Sequence, residues 1–114
     1  MTRIVRGRIR NKQWTDEEVI YEAPHQLYRT TRHHYGNRIV FDKKGYLYFS
    51  IGDRGAQDQA QDPSRPNGKI HRIFPDGSIP DDNPFVDDGL PTLFTLGNRN
   101  PQGISVHPVT DEIW

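Results

Sequence analysis

An all-β fold is the expectation for this chain of 114 residues, and three observations carry it. β-Branched and aromatic residues (Val, Ile, Thr, Phe, Tyr and Trp) number 35, whereas Ala, Leu and Met together number nine. Such side chains suit a pleated, half-buried surface, and poverty in Ala and Leu removes good helix formers. The apolar runs are short and are punctuated by Gly, Pro, Asn and Asp. One pattern also recurs. Ile39-Val40-Phe41-Asp42, a turn and Leu47-Tyr48 are echoed by Ile104-Ser105-Val106-His107, a turn and Ile113-Trp114, with starts 65 positions apart. A set of strands that restarts in this way is how β-propeller blades read in sequence; a short β-sandwich is the competing architecture. The period exceeds the ~40–50 residues of common propeller repeats, and two long loops account for the excess.

Residues 2–10 and 17–22 read as two strands around a polar turn at Asn11–Asp16. The arginines at 3, 6, 8 and 10 interleave with Ile4, Val5 and Ile9 and have no aromatic stacking partner nearby. That pattern reads as a solvated strand face rather than a nucleic-acid arm. Residues 23–37 carry Pro, Thr, His and Gly without a clear period and form a loop. Arg38–Asp42 and Tyr46–Ile51 make a β-hairpin over Lys43-Lys44-Gly45, where glycine supplies a positive φ. Residues 52–67 are a polar loop of sixteen residues, a length usually reserved for function or disorder. Gly68–Phe74 alternates as a further strand and stops at the turn tripeptide Pro75-Asp76-Gly77. Residues 75–91 hold five Asp, four Pro and no basic residue, an acidic surface loop. Thr92–Leu96 is the next strand, Gly97–Gly103 a loop, and Ile104–His107 the start of a fifth strand in this series.

Fifteen basic residues balance fifteen acidic ones, which argues against a chain devoted to non-specific nucleic-acid or anionic-membrane binding. No apolar run approaches the ~18–20 residues of a bilayer span, and no signal-peptide core is present. With no cysteine, disulfides, Cys-liganded zinc, iron–sulfur clusters and a thiol nucleophile are excluded. Apolar residues counted with glycine are 42 of 114, below the usual ~45–50%, so the core is thin.

Two segments carry more chemistry than strand packing requires. His33-His34-Tyr35-Gly36-Asn37-Arg38 precedes one strand of the hairpin, and Gly52-Asp53-Arg54-Gly55 follows its partner. Those positions share one end of the hairpin, so His34 and Asp53 are expected neighbours. A carboxylate beside an imidazole fixes its tautomer and suits a general base near neutral pH. The same spacing also fits His34 capping a strand and Asp53 closing a turn. The second segment, Leu96-Gly97-Asn98-Arg99-Asn100-Pro101-Gln102-Gly103, is an array of forked donors between glycines, or equally a rigid polar turn. His33-His34 is not a metal pair, because adjacent side chains on an extended segment point apart. The Asp76–Asp88 cluster lacks the order of an EF-hand loop, and no nucleophile elbow or phosphate-binding glycine loop is present.

The motifs Arg38-Ile39-Val40-Phe41-Asp42, Gly45-Tyr46-Leu47-Tyr48, Ile51-Gly52-Asp53-Arg54-Gly55, Gly68-Lys69-Ile70-His71-Arg72-Ile73, Asp76-Gly77-Ser78-Ile79-Pro80 with Asp82-Asn83-Pro84, and Leu96-Gly97 with Arg99-Asn100-Pro101-Gln102-Gly103 occur in that order. In this order they resemble the soluble PQQ-dependent glucose/sorbosone dehydrogenase family, which includes the aldose sugar dehydrogenases. The resemblance covers about residues 34–114, and Arg-Asn-Pro-Gln-Gly is its most diagnostic part. It implies a six-bladed β-propeller, of which this chain is about two blades and incomplete. PQQ would sit at the top of the central channel beside a calcium ion. It implies oxidation of aldose sugars to lactones, with hydride passing to the quinone. Carried over by position, His34 matches the general base, Asp53 its carboxylate partner and Arg99 the cation near the quinone oxygens. Asn100 and Gln102 match further PQQ contacts. The implied partners are a sugar and an external electron acceptor, and the implied location is periplasmic or secreted.

Asn98 stands where the family usually has His, and no substrate-contacting glutamine is assigned among Gln57, Gln59 and Gln61. At ~65 residues per blade, six blades need on the order of 390 residues. The family's later basic PQQ ligands and its calcium-binding segment have no counterpart here. The expected division is residues 1–33 as the end of one blade and a connecting loop, 34–97 as one four-stranded blade, and 98–114 as the start of the next. Such a piece is expected to be inactive alone and to self-associate through exposed blade faces. Two other readings stand beside the dehydrogenase: a non-catalytic propeller-type binding module that self-assembles, and a lactonase-like metal-dependent hydrolase propeller.

Overall fold

Asn11 and Lys12 both take left-handed backbone angles, φ 51° and 64°. A two-residue turn of that kind matches the right-handed twist of the strands it joins. It closes an antiparallel hairpin of β1 (Arg3–Arg10) and β2 (Gln13–Glu22), so the turn is shorter than the expected Asn11–Asp16 and Trp14 and Thr15 belong to the ladder. The ladder is irregular around Gly7, where an added Cβ would meet the Trp14 ring at 2.5 Å. Arg3, Arg6 and Arg10 pair with Glu22, Glu18 and Asp16 at 3.1, 2.6 and 3.3 Å. The arginine stripe is thus a half-exposed strand face occupied by cross-strand carboxylates, each pair worth at most about 1 kcal/mol.

The computed structural model describes residues 2–114; Met1 lies outside the described residues. Beyond the hairpin, β3 (Ile39–Phe41), β4 (Leu47–Ile51), β5 (Lys69–Ile73) and β6 (Leu93–Thr95) form one antiparallel sheet in chain order. Gly45 at φ 88° turns β3 into β4, with the Asp42 carboxylate accepting from the Tyr46 amide at 2.9 Å. No α-helix occurs among the described residues; the two long loops carry only short 3₁₀ turns at His25–Leu27 and Gln57–Gln61. None of these is long and apolar enough to cross a membrane.

Every residue of β4 and β5 is buried, because both faces of the sheet are covered. Register places Leu47, Phe49 and Ile51 opposite Ile73, His71 and Lys69 on one face. There Phe49 and Ile73 pack with Ile4 and Ile20 of the hairpin, and Tyr21 tilts onto Phe49 at 4.6 Å. On the other face Ser50 donates to the Pro101 carbonyl at 2.9 Å, and Arg72 lies over the Phe94 ring while gripping Asn83 and Asp82. The alternation of Gly68–Phe74 therefore does not send Lys69, His71 or Arg72 to water. The expected fifth strand at Ile104–His107 reduces to one bridge, Val106 with Ile113, between the paired Ser105 and Trp114 backbones and a turn in which the Asp111 amide donates to the His107 carbonyl at 3.0 Å.

Candidate active site

The β3–β4 pairing runs on past the regular strands. Ser50 N–H donates to the Arg38 carbonyl and Gly52 N–H to the Gly36 carbonyl, both at 3.1 Å. That extension carries His34 to the level of Asp53, and His34 Nδ1 lies 2.5 Å from Asp53 Oδ1. Asp53 is wholly buried, whereas the His34 side chain keeps 23% exposure. Since the carboxylate only accepts, Nδ1 carries the hydrogen, and in the neutral ring the lone pair is then on Nε2. Asp53 Oδ1 also accepts from the Gly55 amide at 2.8 Å, which anchors it independently of the imidazole.

Gly52 is where three segments meet. A Cβ there would lie 2.1 Å from the His34 carbonyl oxygen and 2.7 Å from Asn100 Oδ1. The third segment is tied in by the Asp53 amide, which donates to the Arg99 carbonyl at 2.7 Å, and by Asn100 Oδ1, which accepts from the Gly36 amide at 2.8 Å. Gly68, at φ 69° and with Ala60 Cβ only 2.6 Å from where its own would be, lets the 57–61 turn press against the 97–99 segment. Asp53, Gln57, Ala60, Gln61, Gly97 and Arg99 then line an open cleft of about 190 Å³.

Of the five sequence-derived site residues, His34 and Asp53 are bonded and Arg99 shares the cleft with Asp53. Asn100 staples the Gly36 segment through its side-chain oxygen. Gln102 is exposed, does not line the cleft, and contributes a carbonyl that accepts from Arg38 Nε at 3.0 Å. Asn98, the departure from the family pattern, turns back to accept from Thr95 Oγ1 at 2.7 Å and lines a different cavity with Ile70 and Phe94. Among the three glutamines, Gln57 and Gln61 line the cleft while Gln59 turns inward to accept from Asn67 Nδ2 at 3.1 Å.

Sequence reasoning missed the buried supports. Arg54 donates to the His34 carbonyl at 2.6 Å and to Thr2 Oγ1 at 2.9 Å, and its guanidinium lies 4.0 Å from the Tyr35 ring centre. Asn67 donates to the Asp53 carbonyl at 2.8 Å. Lys69 Nζ donates to the carbonyls of Gln59 and Asn67 at 2.7 and 2.9 Å, and burial pushes its ammonium down to about 8. Behind them His71 stacks on Phe49 with ring centres 4.8 Å apart. Its Nε2 donates to the Pro66 carbonyl at 2.8 Å, which leaves Nδ1 to accept from Thr92 Oγ1 at 2.9 Å. Burial pushes this imidazole down to about 4. The only sequence signal for Arg54 and Asn67 was their place beside glycines at strand ends.

Fold and site together define an antiparallel blade-type β protein whose polar groups gather on loops at one end of the sheet. The chain belongs to the glucose/sorbosone dehydrogenase family, whose model matches residues 1–114. It is 36% identical over 102 residues to aldose sugar dehydrogenase YliI of Escherichia coli (strain K12), covering 88% of this chain and 27% of that protein. The apo crystal structure of the soluble aldose sugar dehydrogenase of Escherichia coli superposes with TM-score 0.89 at 34% identity, over 98% of this chain and 33% of that one. The PQQ-bound aldose sugar dehydrogenase of Streptomyces coelicolor gives TM-score 0.80 at 29% identity, over 97% and 32%. The chain thus spans about a third of the length of these structures, a share corresponding to about two blades of a six-bladed β-propeller.

Proposed function

We propose that this chain supplies the general base and one wall of the cofactor site of a PQQ-dependent aldose dehydrogenase. The observation that carries the reading is the His34 Nδ1–Asp53 Oδ1 bond at 2.5 Å beside the Arg99 cleft. The residues present fit an anionic, oxygen-rich cofactor. Among the described residues the side chains of Arg99, Gln57 and Gln61 make no hydrogen bond within the protein, so a planar cationic fork and two carboxamides face the cleft unengaged. When bound, PQQ supplies the acceptor for the hydride that leaves the anomeric carbon of the sugar.

The protein's own part is proton transfer and charge placement. His34 Nε2 takes the proton of the anomeric hydroxyl, and the sugar becomes a lactone. Asp53 holds the ring in the tautomer that leaves Nε2 free and stabilises the imidazolium that forms. Arg99 is placed to hold anionic oxygens of the cofactor and to offset the charge that develops on them. Asn100 acts through the Gly36 segment, and Gln102 reaches the cofactor only if its loop is reshaped by neighbouring chain.

The four-stranded sheet supports reading residues 34–97 as one blade, with 1–33 ending the preceding blade and 98–114 opening the next. The family likeness supports an external electron acceptor, a periplasmic or secreted location, and inactivity of these residues alone. It also supports a calcium ion in the whole enzyme; no group of three acidic or imidazole side chains converges among the described residues, so no ligands for it are assigned here. In the full-length protein loaded with PQQ, His34→Ala should lower turnover by roughly 10²–10⁴ while PQQ affinity changes little. Loss of cofactor affinity with the chemical step intact would refute the assignment.

A further inference from the structure

At the His34–Asp53 pair three buried polar atoms lack a protein partner, Asp53 Oδ2, Arg54 Nε and Asn67 Oδ1, and the last two are of opposite character. A buried donor or acceptor left unbonded costs about 1–3 kcal/mol, so each marks a place where a further group bonds. The two residues line the same small cavity, together with Thr2, Ala23, Ile51 and Pro66. The volume open to a water within it is about 10 Å³, enough to seat one molecule. The guanidinium N–H can only donate. The carboxamide is oriented by its other end, since Nδ2 donates to the Asp53 carbonyl and to Gln59 Oε1, leaving Oδ1 to accept. A water seated in this cavity would accept from Arg54 and donate to Asn67.

Each of these residues also holds the backbone of one member of the pair. Arg54 Nη1 grips the His34 carbonyl at 2.6 Å, and Asn67 Nδ2 grips the Asp53 carbonyl at 2.8 Å. His34 needs holding: its φ of 61° is left-handed, a conformation that persists only where surroundings over-determine it. The Tyr35 ring and Thr2 Oγ1 complete the seat of the guanidinium.

We propose that Arg54 and Asn67 are positioning residues for the His34–Asp53 pair, coupled through a single ordered water held between Arg54 Nε and Asn67 Oδ1. The kinetic part rests on His34 acting as the base; the water and the clamp do not.

The test uses the full-length, PQQ-loaded protein in four forms: unaltered, Arg54→Lys, Asn67→Ala and the double variant. A high-resolution crystal structure of the unaltered protein should show water density within hydrogen-bond reach of both atoms, absent in Arg54→Lys. Nitrogen-15 spectra of the His34 ring should show the Nδ1–H tautomer in the unaltered protein and a mixture in either variant. Each single variant should lower kcat roughly 10–10²-fold with the sugar KM changed less than about twofold. The double variant should lose no more than the worse single one, as groups acting together do. Absent density, losses that multiply, or a lowered Tm with ring spectrum and kcat unchanged would each overturn the proposal. Full turnover in His34→Ala would remove the base reading alone, and density and ring spectra would still decide the clamp.

Discussion

Lowering the pH from 6.5 to about 4 should cost the folded protein about 3 kcal/mol through one side chain, His71. This imidazole is fully buried between Phe49 and Tyr21, whose ring centres lie 4.8 and 5.5 Å away. Burial is the main cause of its low folded pKa, the Lys69 charge adds to it, and the bond to the Pro66 carbonyl opposes it. Unfolded chains take up this proton below about 6.5, whereas the folded protein resists until about 4. Within that window the unfolded state binds more protons, so stability is complete above pH 6.5 and falls as acid is added. The gap between the two values, at about 1.4 kcal/mol per pH unit, sets the total. Denaturation midpoints measured with urea at pH 4, 5, 6 and 7, on the intact protein and on His71→Gln, isolate the contribution. Gln can donate and accept but does not titrate. Near pH 5 the unaltered protein should lose stability faster than the variant by about 1.4 kcal/mol per pH unit. Equal slopes, or a His71 titration midpoint near that of free histidine, would refute the reasoning.

Two further outcomes follow from the site. Gly52→Ala should destabilise the intact protein by about 1–3 kcal/mol and displace His34, because the new methyl meets a backbone carbonyl and not a yielding side-chain tip. Thermal unfolding with a crystal structure checks it, and an unchanged Tm would show that the close approach relaxes freely. Arg99→Ala should both weaken PQQ binding and slow cofactor reduction; unchanged reduction kinetics in a stopped-flow experiment would remove Arg99 from the site.

Much of the architecture was legible because it depends on neighbours in sequence. Gly45 after Lys43-Lys44 announces the β3–β4 turn, and the apolar runs at Ile39–Phe41 and Leu47–Ile51 set its register. A hairpin's register also dictates which flanking residues share an end, so the meeting of His34 with Asp53 could be read before any coordinates. The turn of the first hairpin was placed but drawn too long for a local reason: Asn11-Lys12 lacks the glycine that usually marks a left-handed pair and so pins the turn to two residues.

Burial and hydrogen bonding across distant segments were not legible in this way. Lys69 and His71 share one face of β5 and Arg72 points to the other, yet none meets water, because the hairpin covers one face of the sheet and residues 82–101 reach across the other. Asn100, matched to a cofactor contact by resemblance, has its side-chain oxygen bound to the Gly36 amide, 64 positions earlier. Arg54 finds its partners in Thr2 and His34, 52 and 20 positions away. Strand period and turn chemistry are properties of a few consecutive dihedral angles, so composition and spacing reveal them. Whether a polar side chain meets water or a carbonyl depends on which remote segment folds over it, and that is settled only when the chain packs.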